Sequence, residues 1–332
     1  MMKKILAAAI VSAFAAPAFA ATANIDISGK MAMDITKVGG VANDSIRIND
    51  NNSSFTFAAK EDLGGGLKAG FSSTWGMNAT QTSSAPTGQQ QFVYLGGGFG
   101  EVRVGTHDNL VKGIRNTVDL FKDQTGDARS MINHGSIDAR LPNVAAYVSP
   151  NFSGLNVALA RGVDENAAVK KDVDMATATY SNGPLYAGLG YYVANDAIAV
   201  GTDTKGYRLG LGYTMGDLKM VALYQNIDNV SAANDDRKTW GLGAGYKMGA
   251  MTFKGQYYSV NDNGVNQDAK MYVVGVDYGF SKRTTAQLAY SKHKNDSGVS
   301  YGDGAGYGGT DTIGATAGQD PSRLSIGLVH SF

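Results

Sequence analysis

The stretch TWGLGAGYKM, residues 239–248, alternates without a break. Trp240, Leu242, Ala244, Tyr246 and Met248 share one parity, and Gly241, Gly243, Gly245 and Lys247 the other. Side chains of an extended strand point alternately to its two faces, so this segment has one apolar face and one nearly bare face. A soluble sandwich would turn the apolar face inward. Two features favour the reverse. The aromatics stand near the ends of the apolar face, where the interfaces of a bilayer lie, and glycine with lysine is poor core material but suits a water-filled interior.

The same pattern recurs along the chain. GYRLGLGYT sets Tyr207, Leu209, Leu211 and Tyr213 against Arg208, Gly210, Gly212 and Thr214. NIDISGKMAMDIT sets Ile25, Ile27, Met31, Met33 and Ile35 against Asp26, Ser28, Lys30, Asp34 and Thr36. MYVVGVDYGF puts Tyr272, Val274, Val276, Tyr278 and Phe280 on one side. Period two throughout argues for an all-β chain. After the leader described below, no segment approaches the ~20 consecutive apolar residues of a membrane helix.

The leader is MMKKILAAAIVSAFAAPAFA, with Lys3 and Lys4, an Ala-rich apolar run and Ala18-Phe19-Ala20. It reads as a secretory signal peptide over 1–20, leaving a single domain over 21–332. That remainder holds 27 Lys+Arg against 29 Asp+Glu once Lys3 and Lys4 are set aside, a balance that gives no footing for nucleic acid. The chain has no Cys, so an exported protein here does without disulfides.

Short links at 62–66, 96–100, 181–184, 215–217, 248–250 and 280–283 alternate with long polar ones at 78–88, 106–139, 195–204, 228–236, 261–268 and 294–321. Short turns on one rim and long loops on the other describe a transmembrane antiparallel β-barrel. Sixteen strands are expected, at 24–36, 52–60, 67–77, 89–96, 100–105, 140–149, 155–162, 172–181, 185–194, 205–214, 218–227, 237–247, 251–260, 269–279, 284–293 and 322–332. An unpaired strand edge in lipid costs several kcal/mol per orphan backbone group, so the last strand must pair with the first. The ending PSRLSIGLVHSF fits that seam, with Leu324, Ile326, Leu328, His330 and Phe332 on the outward parity.

Four segments, in order along the chain, carry a resemblance: KEDLGGGLKAGF, GGGFGEVRVGTHDN, RLPNVAAYVSPNFSGLNVALA and the terminal GLVHSF. With them the sequence resembles the trimeric general diffusion porins of Gram-negative outer membranes. The resemblance implies a homotrimer in contact with outer-membrane lipid and lipopolysaccharide, passing small hydrophilic solutes and ions without a cofactor. It also implies that Phe332, His330 and Leu328 belong to a signal read by the barrel-insertion machinery, and that the third long loop folds inward to narrow the barrel.

That loop is THDNLVKGIRNTVDLFKDQTGDARSMINHGSIDA, residues 106–139. Loops this long are generally functional. Asp119, Asp123 and Asp127 recur at a spacing that shares one side of a helical turn, so they either line the constriction or form a solvated loop face. For the opposing basic wall, strand parity turns Lys68, Arg103 and Arg140 inward, and the resemblance places Arg140 in the pore's basic cluster. Arg208, Lys219, Lys247 and Lys254 are expected only to solvate the lumen.

The sequence also departs from the family pattern. Ser54, Gln89 and Thr106 stand where arginines are common among relatives, so weak selectivity or a mild cation preference is expected. Tyr186, Tyr192 and Tyr258 share the lumen face and offer a stacking lane for a sugar, organic acid or aromatic solute, the alternative of a substrate-specific channel. No hydrolase elbow, metalloprotease helix, P-loop or EF-hand spacing occurs, and His107-Asp108 and His134 lack a marked nucleophile, so an enzyme is not expected. A soluble adhesin or carbohydrate binder would extract without detergent, which separates it from the barrel.

Overall fold

The computed structural model describes residues 24–132, 135, 137–165, 171–228, 236–302, 313 and 315–332. The expected signal segment 1–20 and His134 lie outside the described residues. Seventeen strand segments form one sheet. They are β1 (Asn24–Gly39), β2 (Ser45–Asp50), β3 (Ser54–Gly64), β4 (Leu67–Gly76), β5 (Thr87–Gly97), β6 (Gly100–Asp108), β7 (Arg140–Val148), β8 (Leu155–Gly162) and β9 (Val173–Asn182). The circuit continues with β10 (Leu185–Ala199), β11 (Thr202–Met215), β12 (Leu218–Asp228), β13 (Arg237–Met248), β14 (Met251–Asp262), β15 (Ala269–Gly279), β16 (Thr284–Asn295) and β17 (Ser322–Ser331). Every pairing is antiparallel.

β1 is longer than its neighbour and pairs with β3 at its start and β2 at its end, so β2 and β3 share one position in the wall. The barrel therefore has sixteen positions, as expected, although the expected second strand at 52–60 captures only part of this one. The break between the pieces is built locally. Ser53 N–H donates to Asp50 Oδ1 at 2.8 Å, Ala32 N–H donates to Ser53 Oγ at 3.0 Å, and Asn52 takes a left-handed φ of 64°. β10 and β11 also run past their expected ends, because Ala199 pairs with Thr202 beyond a bulge.

The seam closes where the chain ends. Lys30 to Gly39 of β1 face Ser331 to Ser322 of β17 in register. Phe332 N–H then donates to the Gly29 carbonyl at 3.0 Å, and Gly29 N–H to the Phe332 carbonyl at 3.2 Å. A Cβ on Gly29 would sit 2.7 Å from the Phe332 ring, so the bare backbone there makes room for the terminal aromatic.

Polarity is inverted relative to a soluble protein. Leu209, Leu242 and Val274 are 42%, 56% and 58% exposed, while Arg208 and Gln225 on the opposite parity are fully buried. Apolar side chains on the outer surface are stable only against hydrocarbon. Aromatics band that surface at both rims. Near the long loops Trp240, Tyr257 and Tyr272 follow one another at 5.1 and 5.0 Å between ring centroids, and near the short turns Tyr278 meets Phe280 at 5.0 Å. The short turns use glycine where φ is positive, as at Gly216 (59°) and Gly249 (62°).

Candidate functional site: a loop docked inside the barrel

Between β6 and β7 the chain turns inward. It forms a helix at Lys112–Val118, a run of turns, and a short helix at Arg129–Ile132. Ile114, Val118, Phe121, Met131 and Ile132 are buried against the inner wall, each side chain worth about 1.5–3 kcal/mol of transfer from water. Glycines of the wall make the seats. A Cβ on Gly210 would come within 2.5 Å of Ile114, one on Gly190 within 3.0 Å of Val111 and Ile114, and one on Gly275 within 2.9 Å of Phe121. Inward glycines of these strands thus hold the loop as well as widening the lumen.

Polar groups on the wall complete the docking. Gln256 accepts from Leu120 N–H at 2.9 Å and donates to the Val118 carbonyl at 3.1 Å. Gln225 donates to the Ile132 carbonyl at 3.0 Å, and Lys254 to the Leu120 carbonyl at 3.0 Å. Arg208, fully buried, pairs with Asp138 at 2.7 Å and donates to the Val111 carbonyl at 3.3 Å. Arg208 and Lys254 were expected to solvate the lumen; they instead satisfy the carbonyls and carboxylates of the buried loop, which water no longer reaches. Lys247 remains exposed, and the half-buried Lys219 reaches the Thr117 carbonyl at 3.3 Å.

The three expected constriction acids part company. Their segment is not helical, since the first helix ends at Val118 and Asp123 has a φ of 58°. Asp119 and Asp127 are buried within the loop and do not line the opening. Both face Arg115, at 3.6 and 3.2 Å, and Asp127 also meets Arg129 at 2.7 Å. Asp127 neutralises guanidinium groups that the loop takes out of water, and Asp119 lies beside it. Burial, with Asp127 beside it, pushes the Asp119 carboxyl up to about 7. Burial opposes ionisation at Asp127 too, but Arg129 and Arg115 outweigh it and hold that carboxyl below the ordinary range.

Asp123 sits at the loop tip, beside the opening. It meets Lys30 of β1 at 2.7 Å and Arg129 at 2.9 Å, and accepts from Asn52 at 3.3 Å. Gln89 joins this group by donating to Asn52 at 3.1 Å. On β6, the strand that leads into the loop, Arg103 reaches Glu101 at 2.5 Å, stacks over Phe92 at 5.0 Å and touches His107 at 3.2 Å. Arg140 and Lys112 share Asp108 at 3.1 and 2.9 Å. Lys68 stands apart, with Lys60, Tyr94, Glu101 and Arg103, in a recess of about 410 Å³ toward the short-turn rim. Arg103, Arg140 and Asp123 thus fall in three separate ion-paired groups, which also take in Glu101, Asp108, Lys112 and Lys30.

Tyr192 and Tyr258 face inward but are wholly covered by the loop, and Tyr186 packs against it, so they offer no stacking lane. Burial beneath the loop also pairs Ser130 Oγ with His293 Nε2 at 3.2 Å, a contact between distant segments that no sequence motif announces. At the seam Leu328, His330 and Phe332 lie on the outer face, with His330 Nδ1 2.9 Å from Thr284 Oγ1.

A family model described as Gram-negative porin matches residues 7–298. Outer membrane porin protein 32 of Delftia acidovorans is 28% identical over 296 residues, spanning 82% of each chain. Major outer membrane protein P.IB of Neisseria meningitidis serogroup B is 28% identical over 258 residues, 72% of this chain and 76% of that one. Among solved structures, an anion-selective porin from Comamonas acidovorans superposes with a TM-score of 0.80 at 24% identity, over 94% of this chain and all of that one. The trimer form of OmpT from Vibrio cholerae gives 0.71 at 14% identity, over 94% of this chain and 100% of the other.

Proposed function

The chain belongs to the Gram-negative porin family, an outer-membrane channel for passive diffusion rather than an enzyme, and we propose that its lumen discriminates only weakly between small ions of opposite sign. One observation carries this. The cations around the opening all stand against carboxylates: Lys30 against Asp123, Arg103 against Glu101, and Arg140 with Lys112 against the one Asp108. Rings of charge select by sign, and setting charges of opposite sign side by side shortens the reach of the field. The Comamonas relative is described as anion-selective; here Ser54 and Gln89 are neutral where the family pattern favours arginines. Lys68 and Lys60, without a matching carboxylate in ion-pair range among the described residues, bias the exit vestibule mildly toward anions.

Reversal potentials in asymmetric KCl across a planar bilayer test this. The expected value lies close to zero, with Arg140→Ala shifting it toward potassium and Asp108→Asn toward chloride. A strong chloride preference in the wild type would refute the reading. The same family footing supports a homotrimer, a form in which OmpT of Vibrio cholerae is described, and cleavage of residues 1–20 on export. It supports Phe332, with His330 and Leu328, as the mark read by the insertion machinery, and outer-leaflet lipid and lipopolysaccharide as the barrel's surroundings.

A further inference from the structure

On the inner wall toward the short turns, the strand registers set two rows side by side. Lys60, Gly70, Tyr94 and Arg103 stand opposite one another across β3–β6, and one pleat nearer the turns come Lys68, Gly96, Glu101 and Val148 across β4–β7. Each row sets a bare glycine beside a cation, and the wall opens there into the recess of about 410 Å³. Tyr94 leans over the backbone of Gly70, where a Cβ would come within 2.6 Å of its hydroxyl. Gly96 forms the floor. A Cβ on it would meet nothing nearer than the Gly100 carbonyl at 3.5 Å and Glu101 Cγ at 3.6 Å.

Charge is spread unevenly across that floor. Lys60 and Lys68 are exposed, and neither has a hydrogen bond or ion pair among the described residues. Asp62, opposite Lys68 in register, accepts instead from the Gly64 N–H at 2.9 Å. One strand step and two residues separate the lysines, about 8 Å between Cα atoms, so two flexible ammonium groups can meet on one anion. Glu101 stands on the other side of Gly96, two strand steps or about 10 Å from Lys68. It gives Oε1 to Arg103 at 2.5 Å, and its Oε2 lies 3.7 Å from where a Gly96 Cβ would be.

The recess therefore has two unmatched cations at one end, a carboxylate oxygen at the other, and a glycine floor beside a tyrosine ring between them. A halide ion would use the cationic end alone. A flat molecule with an acid at one end and a hydroxyl at the other would use all three parts.

We propose that this recess is a binding site for phenolic carboxylates. The carboxylate bridges Lys60 and Lys68, the ring lies over Gly96 against Tyr94, and the para hydroxyl donates to Glu101 Oε2. Contact between the two rings favours an aromatic acid over an aliphatic one of the same charge. The site rests on the water-filled vestibule of the porin reading and deepens the mild anion bias assigned there to the same two lysines.

Saturation-transfer NMR of the detergent-purified protein, titrated with 4-hydroxybenzoate, tests the site. Saturable transfer to the ring protons is expected. Lys60→Ala with Lys68→Ala should weaken binding about tenfold, and cyclohexanecarboxylate should bind wild type about fivefold more weakly than benzoate, which has the same charge and no hydroxyl. Gly96→Val, which fills the floor at a position with room for a Cβ, should also lower binding, whereas Lys247→Ala, on an exposed lysine of β13, should not. Transfer that never saturates, unchanged binding in the double lysine variant, equal loss in Lys247→Ala, or cyclohexanecarboxylate binding as well as benzoate would each overturn the site. Full displacement by an equal concentration of inorganic phosphate would do so too, by showing a bare anion site. Reversal potentials in KCl contain no aromatic acid, so a value near zero without saturable transfer defeats the recess alone, and a strong chloride preference with saturable transfer defeats the weak-selectivity reading alone.

Discussion

Lys30 Nζ lies 2.7 Å from Asp123 Oδ2, so the first strand of the barrel grips the tip of a loop inserted 93 residues further along the chain. The side chains are 25% and 11% exposed, which places the contact beside water but not in it. This pair fixes how far the loop leans into the opening. Lys30→Ala or Asp123→Asn should free the tip at a cost of about 1 kcal/mol or less. Open-channel noise and mean conductance should rise in single-channel records. Because Asp123→Asn also removes the ion pair with Arg129, the double variant should differ little from Asp123→Asn alone.

The deeper anchor is Arg208. Its guanidinium meets Asp138 at 2.7 Å and Gln225 at 2.9 Å, all fully or nearly fully buried. Arg208→Met would leave the Asp138 carboxylate, among the described residues, with Arg115 at 3.6 Å as its remaining ion pair. The expected loss is about 3–5 kcal/mol, read as a lower thermal midpoint in detergent and faster proteolysis of the loop. Adding Asp138→Leu should recover part of that loss, since an unpaired buried charge costs more than none. Lys247→Ala, on an exposed site, should stay within about 0.5 kcal/mol of wild type.

Loop docking should depend on pH in one direction. Asp119 is raised from 3.8 to about 7 by burial and by Asp127. A carboxyl so raised binds its proton more tightly in the docked loop than when released. Its contribution is complete below about pH 4 and is lost as pH climbs to about 7. Burial also opposes ionisation at Asp138, but Arg208 and Arg115 hold its carboxyl below the ordinary range, and Asp127 is likewise low, so their contributions fail only in stronger acid. Between pH 5 and 8 the loop should therefore become noisier and more open to protease as pH rises. Asp119→Asn, neutral at every pH, should flatten that dependence; an identical slope in the variant would show that another group sets it.

Much of this was written in the alternation of the strands. The inverted polarity at Leu209, Leu242 and Val274, the seam between 24–36 and 322–332, and the inward turn of Arg103 and Lys68 all follow from period two, which any strand pairing must respect. What lay hidden was decided by contacts between distant segments. The β2 piece, SIRIND, alternates as a strand does but sits among loop residues, and only its pairing with the far end of β1 reveals it. Gly190, Gly210 and Gly275 carry a pattern consistent with an open lumen, and their role as seats for Ile114 and Phe121 depends on where the loop comes to rest. Asp119 and Asp127 looked like lumen acids because spacing reports a face but not what covers it.

The central claim is that oily side chains face lipid while the charged ones surround a water-filled conduit. The chain has no Cys, so single cysteines can be read cleanly. In a planar bilayer, Arg103→Cys should react with a membrane-impermeant charged thiol reagent and step the current down. Leu242→Cys should ignore that reagent and react only with a lipid-soluble maleimide, leaving the current unchanged. The reverse outcome, with position 242 blocking the current and position 103 inert, would contradict the account.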